Sequence, residues 1–199
     1  MRQCYNRTGE TVVCSLDGSV IVVHHESTPP SSRATTDPAE FDFYAGAQKV
    51  HDSNGSVSVD LAVVDHRFRV AGAFSHYFET QPDGGRLTMT MPSLTAGVRI
   101  DDLGATSVFV EGGAVHVHTS GDVMGDSSIM GAIGGVRIEH RLSSGVALLG
   151  GAQAMAFESG VRANAAVAGV RIGHLQAALR VLDFNVGPAL YGPEIGLRF

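Results

Sequence analysis

A four-residue phrase recurs along the second half of the chain. It reads Gly97-Val98-Arg99-Ile100, Gly135-Val136-Arg137-Ile138, Gly169-Val170-Arg171-Ile172 and, at the end, Gly196-Leu197-Arg198-Phe199. Each copy runs glycine, apolar, arginine, apolar. Alternation with period two is the pattern of a strand whose two faces meet different surroundings. Its recurrence predicts hairpins of one sheet, with arginines on one face and Val, Ile, Leu or Phe on the other.

From Phe41 onward, strand-like segments alternate with turns. The candidates are 41–50, 56–64, 67–79, 87–100, 105–118, 129–140, 145–157, 161–172, 174–184 and 189–199. Turn signals separate them: Asp52-Ser53-Asn54-Gly55, Pro82-Asp83-Gly84-Gly85, Asp101-Asp102-Leu103-Gly104, Ser143-Ser144-Gly145 and Gly187-Pro188. No helical pattern lies between the strands, so parallel βαβ units are excluded as the organising motif.

Along these segments Val57, Val59, Leu61 and Val63 oppose Ser58, Asp60 and Ala62, and Phe68, Val70, Phe74 and Phe78 oppose Arg69, Ala71, Ala73, Ser75 and Tyr77. The polar face is mostly Gly, Ala, Ser and Thr with isolated charges. Small residues suit the concave inside of a narrow barrel, and an apolar outside suits lipid. The expected fold is therefore all-β: a closed antiparallel transmembrane up-and-down barrel of about 8–10 strands. The alternative, a soluble lipocalin-like barrel that binds a small ligand, would turn the apolar face inward.

On the arginine-bearing strand ends, on Phe109-Val110-Glu111-Gly112-Gly113 and on the terminal Phe199, residues 39–199 resemble a small bacterial outer-membrane β-barrel of the OmpA-like class. The resemblance implies a bacterial outer-membrane location, contact with outer-membrane lipid, and recognition of Phe199 by the barrel-assembly machinery. Such barrels carry Trp and Tyr girdles at the two interfaces; this chain has no Trp and 4 Tyr.

Residues 1–38 read differently. Thr11–Leu16 and Ser19–His24 flank Asp17-Gly18, a hairpin turn signal. The arms are too short to span a bilayer, and Ser27-Thr28-Pro29-Pro30-Ser31-Ser32 reads as a linker. A periplasmic hairpin and tether is expected, able to dock an envelope partner. Cys4 and Cys14 fall in this segment, and an oxidising periplasm favours a disulfide between them. Met1-Arg2-Gln3-Cys4-Tyr5-Asn6 leads into no apolar run, so export predicts that Met1 stands in place of a removed signal peptide. The net charge of −6 gives no reason to expect nucleic acid. No cofactor or metal is called for.

If the C-terminus is periplasmic, Arg99, Arg137, Arg171 and Arg198 face the lumen near one mouth, with Arg67 and Arg69 at the same level and Arg180 also inward. Asp42, Asp60, Glu111 and Glu194 share that phase. Charges inside a barrel must be paired, and the planar fork of Arg matches a carboxylate. Two readings follow. One is a salt-bridge network that closes the bore in a structural barrel. The other is a cationic constriction that makes it a narrow, anion-selecting channel. Gly113, Gly131, Gly135, Ala147, Gly151, Ala163, Ala165 and Gly169 also face inward, which predicts either a cavity or a space filled by residues 1–38.

The most enzyme-like string is His116-Val117-His118-Thr119-Ser120-Gly121-Asp122. His118-Thr119-Ser120 resembles the His-x-Ser pair of outer-membrane lipid A deacylases, which would imply a lipid-modifying hydrolase. In that family the pair lies on the strand following the counterpart of 129–140; here that strand holds Gly151–Ala156, without His or Ser. No catalytic role is carried over, and the protein is expected not to be an enzyme. Proteases of the omptin type need paired acids on strands that rise well above the membrane. Strands of about ten residues are too short for that, and Asp52, Asp83, Asp122 and Asp126 show no pairing.

Overall fold

A computed structural model of the protein describes residues 2–5, 11–14, 20–21, 39–51, 55–80, 85–122 and 125–199, with side chains from residue 39 onward except 101–103. Two units result, Met1–Thr36 and Asp37–Phe199. The described residues form strands and turns and no helix.

In the first unit, β1 (Arg2–Tyr5), β2 (Thr11–Cys14) and β3 (Val20–Ile21) make a three-stranded antiparallel sheet in the order β1-β2-β3. The β2–β3 pairing of Cys14 with Val20 fits a hairpin centred on Asp17-Gly18; that turn lies outside the described residues. The register sets Cys4 opposite Val12 and Cys14 opposite Arg2. The disulfide expected between the two cysteines lies outside the described side chains.

The second unit is a closed barrel of ten antiparallel strands: β4 (Glu40–Gln48), β5 (Gly55–Asp65), β6 (Phe68–Thr80), β7 (Arg86–Leu103), β8 (Thr106–Gly121), β9 (Ser127–Ser143), β10 (Val146–Phe157), β11 (Arg162–Ile172), β12 (Leu175–Phe184) and β13 (Leu190–Arg198). Each strand pairs with its neighbours in sequence, and β13 closes on β4 through Glu194↔Gln48 to Arg198↔Tyr44. Phe199 completes that seam: Phe43 N–H donates to its carbonyl at 3.0 Å, and its own N–H donates to Phe43 O at 2.9 Å.

The two ends of the barrel differ. At one end the links are two residues long: His66-Arg67, Gly104-Ala105, Ser144-Gly145 and Gly173-His174. Gly104 and Gly173 have φ of +64° and +57°, values glycine adopts without cost. At the other end the links run from four to six residues. Short turns on one side and longer loops on the other are the habit of outer-membrane barrels.

Burial follows the alternation. Phe41, Phe68, Leu94, Ile100, Ile172, Leu179, Ile195 and Phe199 are exposed on the outer surface, whereas Arg69, Glu111, Glu194 and Arg198 are buried inside. This inverts what a soluble lipocalin-like barrel requires. On β7 the outward apolar run from Pro92 to Ile100 covers nine residues. At ~3.3 Å per residue and a tilt of ~40° this spans about 23 Å, close to the ~25 Å apolar band of such barrels.

The glycines of the repeated phrase have a packing reason. All four face inward, two residues from the arginine, where adjacent strands approach closely. A Cβ on Gly135, Gly169 or Gly196 would lie 2.4 Å from the carbonyl oxygen of Ala152, Ala177 or Ala45 on the next strand, and one on Gly97 would lie 2.7 Å from Val110 O.

Three strands are longer than the sequence pattern predicts. β7, β8 and β9 have 18, 16 and 17 residues, well beyond the ~9–11 needed to cross. At the tight-turn end β7 continues past Arg99 through a bulge, where the register steps from Arg99↔Phe109 to Asp101↔Val108. At the loop end β7, β8 and β9 rise above the apolar run. The estimate of uniformly short strands is therefore corrected: these three extend past the apolar band at both ends.

Candidate functional site

The lumen is built in two halves. Toward the tight turns it is polar and charged. Arg198 Nε donates to Asp42 Oδ1 at 2.6 Å, its Nη2 donates to Asp42 Oδ2, and Nη1 reaches Gln176 at 3.3 Å. Beside it, Arg171 Nη2 donates to Glu139 Oε1 at 2.6 Å, and Arg141 lies 3.6 Å from the same oxygen. Deeper in, Arg69 Nη1 donates to Glu111 Oε1 at 2.5 Å, with Arg137 3.9 Å from that oxygen. The next layer holds Arg180 at 2.7 Å from Glu194 Oε2, while the Tyr44 hydroxyl donates to Glu194 Oε1. Asp60 is set between Tyr44 and Ala73 on neighbouring strands and faces the same cavity as Arg69, Arg137 and Arg180. The Arg99 guanidinium stands 5.1 Å over the Phe109 ring.

Of the predicted charge set, the fold thus brings Arg69 and Arg137 against Glu111, Arg180 against Glu194 and Arg198 against Asp42, while Arg171 meets Glu139. Arg67 is placed apart, in the exposed turn before β6, where its carbonyl accepts from Arg99 N–H at 2.7 Å. Glu139 and Arg141 were missed. They follow Arg137 at period two on β9, but the predicted strand ended at 140 and left them at its margin.

Toward the loops the inside is apolar. Val50, Tyr77, Met91, Val115, Ile133 and Phe157 form one buried cluster, joined by Val117, Met155, Ala163 and Leu182. Phe157 stacks on Phe184 with ring centroids 6.5 Å apart. Gly and Ala do not line this region alone: bulky side chains converge there from strands all around the barrel. The signal was present in the sequence as a reversal of phase. On β8, Val108 and Val110 point outward and Glu111 inward; six residues on, His116 and His118 point outward and Val115 and Val117 inward.

That reversal marks where the strands leave the apolar belt. Outward positions there include the polar Thr88, Thr90, His116, His118, Ser120 and Ser128, with Phe78 and Met130 exposed beside them. His76 Nδ1 is 3.0 Å from Thr90 Oγ1. Near the tight turns, His66 Nδ1 lies 2.5 Å from Asp65 Oδ1, His140 Nδ1 lies 2.7 Å from Thr106 Oγ1, and His174 stacks on Phe199 at 4.9 Å. Histidines thus stand at both interfaces, where Trp is absent.

The His118/Ser120 pair of the hydrolase reading is not formed. His118 Nδ1 is 2.8 Å from Ser128 Oγ instead, and the Ser120 carbonyl accepts from Thr88 Oγ1 at 3.4 Å. Asp122 accepts from Arg86 N–H at 3.0 Å.

These features define a β-barrel of transmembrane type: every barrel strand is paired on both sides, and the outward belt is apolar. No protein-family model matches the chain, and no curated protein does. Among solved structures, the chain is similar to neisserial surface protein A (14% identity, TM-score 0.45, covering 81% of this chain and 99% of that one). It is also similar to a major outer-membrane protein of Thermus thermophilus (14%, TM-score 0.46, 80% and 100%). A third is the N-terminal β-barrel domain of Pseudomonas aeruginosa OprF (13%, TM-score 0.43, 80% and 96%).

Proposed function

We propose that this protein is a structural, non-enzymatic barrel of the bacterial outer membrane whose lumen does not conduct ions. The apolar cluster carries this reading. An ion crossing the barrel would have to pass Tyr77, Met91, Val115, Ile133, Met155 and Phe157, which form one buried cluster. Moving a charge through such a layer costs several kcal/mol or more. The ion pairs beneath it join adjacent and next-but-one strands, which suits a structural role.

The outer-membrane assignment is supported by closure, by the apolar belt and by the unequal turns at the two ends. With that orientation the tight turns are periplasmic and lipid surrounds the belt. Phe199, outward-facing at the closing seam, is then the residue the barrel-assembly machinery reads. Residues 1–38 join β4 at its tight-turn end, on the periplasmic side. Among the described residues their small sheet has β1 and β3 at its edges, a form suited to docking an envelope partner by strand addition.

The test is conductance of refolded protein in a planar bilayer, with a heat-modifiable band on an unboiled gel as proof of folding. Folded protein without conductance steps is the expected result. Reproducible steps from folded wild-type protein would return the narrow-channel reading.

A further inference from the structure

The outer surface where β8 and β9 leave the apolar belt carries a side-chain set that the closed barrel does not need. His116 and His118 alternate with Val115 and Val117, which are buried inside, so both imidazoles face outward on one strand. Residues two apart on a strand stand ~7 Å apart along it. The register sets Met130 of β9 opposite His116, and Ser128 opposite His118. The Met130 carbonyl accepts from Glu158 N–H at 3.2 Å, on the β10 side. Its backbone groups therefore turn away from β8. The His116/Met130 pair is then of the kind in which facing side chains stand closest, with Cα atoms about 4.5 Å apart.

Met130 is 47% exposed and takes no part in the buried cluster inside the barrel. His118 is already oriented. Its Nδ1 lies 2.8 Å from Ser128 Oγ, which leans the ring toward β9 and leaves Nε2 as the coordinating nitrogen. Metal-binding histidines are commonly held through their second nitrogen in this way. Among the described residues no three His, Cys, Asp or Glu side chains converge on one point; the third donor here is a thioether. Two imidazoles and a thioether make a soft donor set. Thioether sulfur selects copper(I), and imidazole suits copper equally well.

We propose that His116, His118 and Met130 form a copper(I) site on the outer face of the barrel, at the upper border of the apolar belt and open to the water at the loop end. The site lies outside the lumen and does not rest on the closed-lumen reading.

Copper(I) itself is the probe, held reduced with ascorbate under nitrogen and offered to the refolded full chain in competition with bicinchoninate. The parent protein carries Cys4→Ser, Cys14→Ser, His24→Ala and His25→Ala, which removes the thiols and imidazoles of residues 1–38. X-ray absorption at the copper edge reads the ligand atoms. The parent is expected to retain one ion per chain, with nitrogen and one sulfur in its shell. In a chain without cysteine that sulfur belongs to methionine. Met130→Leu should lose the sulfur and weaken binding at least ~10-fold, and His116→Ala and His118→Ala should each weaken it at least as much. His140→Ala, at the tight-turn end, should leave binding unchanged. Each variant is first checked for the heat-modifiable band, and Met130→Leu, which keeps an apolar side chain of similar size, keeps the test valid if a histidine variant does not fold. Folded parent that yields all its copper to bicinchoninate, a shell without sulfur, or a sulfur that persists in Met130→Leu would overturn the proposal.

Discussion

The two halves of the barrel interior solve the same packing problem with opposite chemistry. The half toward the tight turns lies within the apolar belt and is filled with arginines and carboxylates. On β7, β8 and β9 the half toward the loops carries mostly polar residues on its outer surface, and its inside is Tyr, Met, Val, Ile and Phe. Surroundings explain the inversion. Where lipid covers the outside, apolar side chains are stabilised there and the polar ones are left to the bore. Where the strands stand in water, the hydrophobic effect acts inward, as in any soluble domain. A single chain therefore carries a membrane-type barrel continued by a water-type core.

The contrast predicts unequal responses to substitution, measured by urea unfolding in lipid vesicles. Glu111→Gln should have the largest effect. It leaves Arg69, 3% exposed, without its carboxylate, and breaking a buried pair from one side costs about 3–5 kcal/mol. A small loss would mean that water reaches Arg69 freely, and the charged half would then be a wet bore. Leu182→Ala, in the apolar half, should cost about 2–4 kcal/mol through the cavity it opens. A cost below ~1 kcal/mol would show that the upper half is loosely packed.

Next come two glycines on adjacent strands. Gly169→Ala sets a methyl against Ala177 O and should cost about 1–3 kcal/mol. Gly150→Ala meets open space on the outer face and should stay within ~0.5 kcal/mol of wild type. Equal costs would contradict the assignment of inside and outside. A comparably small effect is expected for Arg141→Gln. Its side chain is 66% exposed at the rim, and pairs so placed contribute about 0–1 kcal/mol.

Much of the barrel was legible from period two alone. The ten segments and the inward phase of Arg69, Arg137, Arg171, Arg180 and Arg198 followed from alternation, because a strand has only two faces. Three features were not legible in that way. The real ends of β7, β8 and β9 lie beyond the apolar run, so hydrophobic alternation stops before the hydrogen bonding does. The apolar filling came from Val115, Val117, Ile133 and Phe157, whose phase opposes the one used to define the lipid face. The partners Glu139 and Arg141 sat at a boundary where pairing register, rather than composition, decides what is inside. His118 was placed on the correct face, but its Ser128 partner is set by the β8–β9 register, which local sequence does not contain.

The account turns on where lipid ends along the outer surface. Single-cysteine variants in a Cys4→Ser, Cys14→Ser background, spin-labelled and reconstituted in bilayers, measure this directly by collision with oxygen and with a water-soluble nickel chelate. A label at Leu94, in the middle of the β7 belt, should meet oxygen and be shielded from the chelate. A label at His118, on the same outer surface of β8 but above the belt, should meet the chelate. That difference is what a membrane barrel extended by a water-exposed upper part predicts. Free access of the chelate to Leu94 would contradict a lipid-facing belt, and shielding of His118 from the chelate would contradict the division of the barrel into two halves.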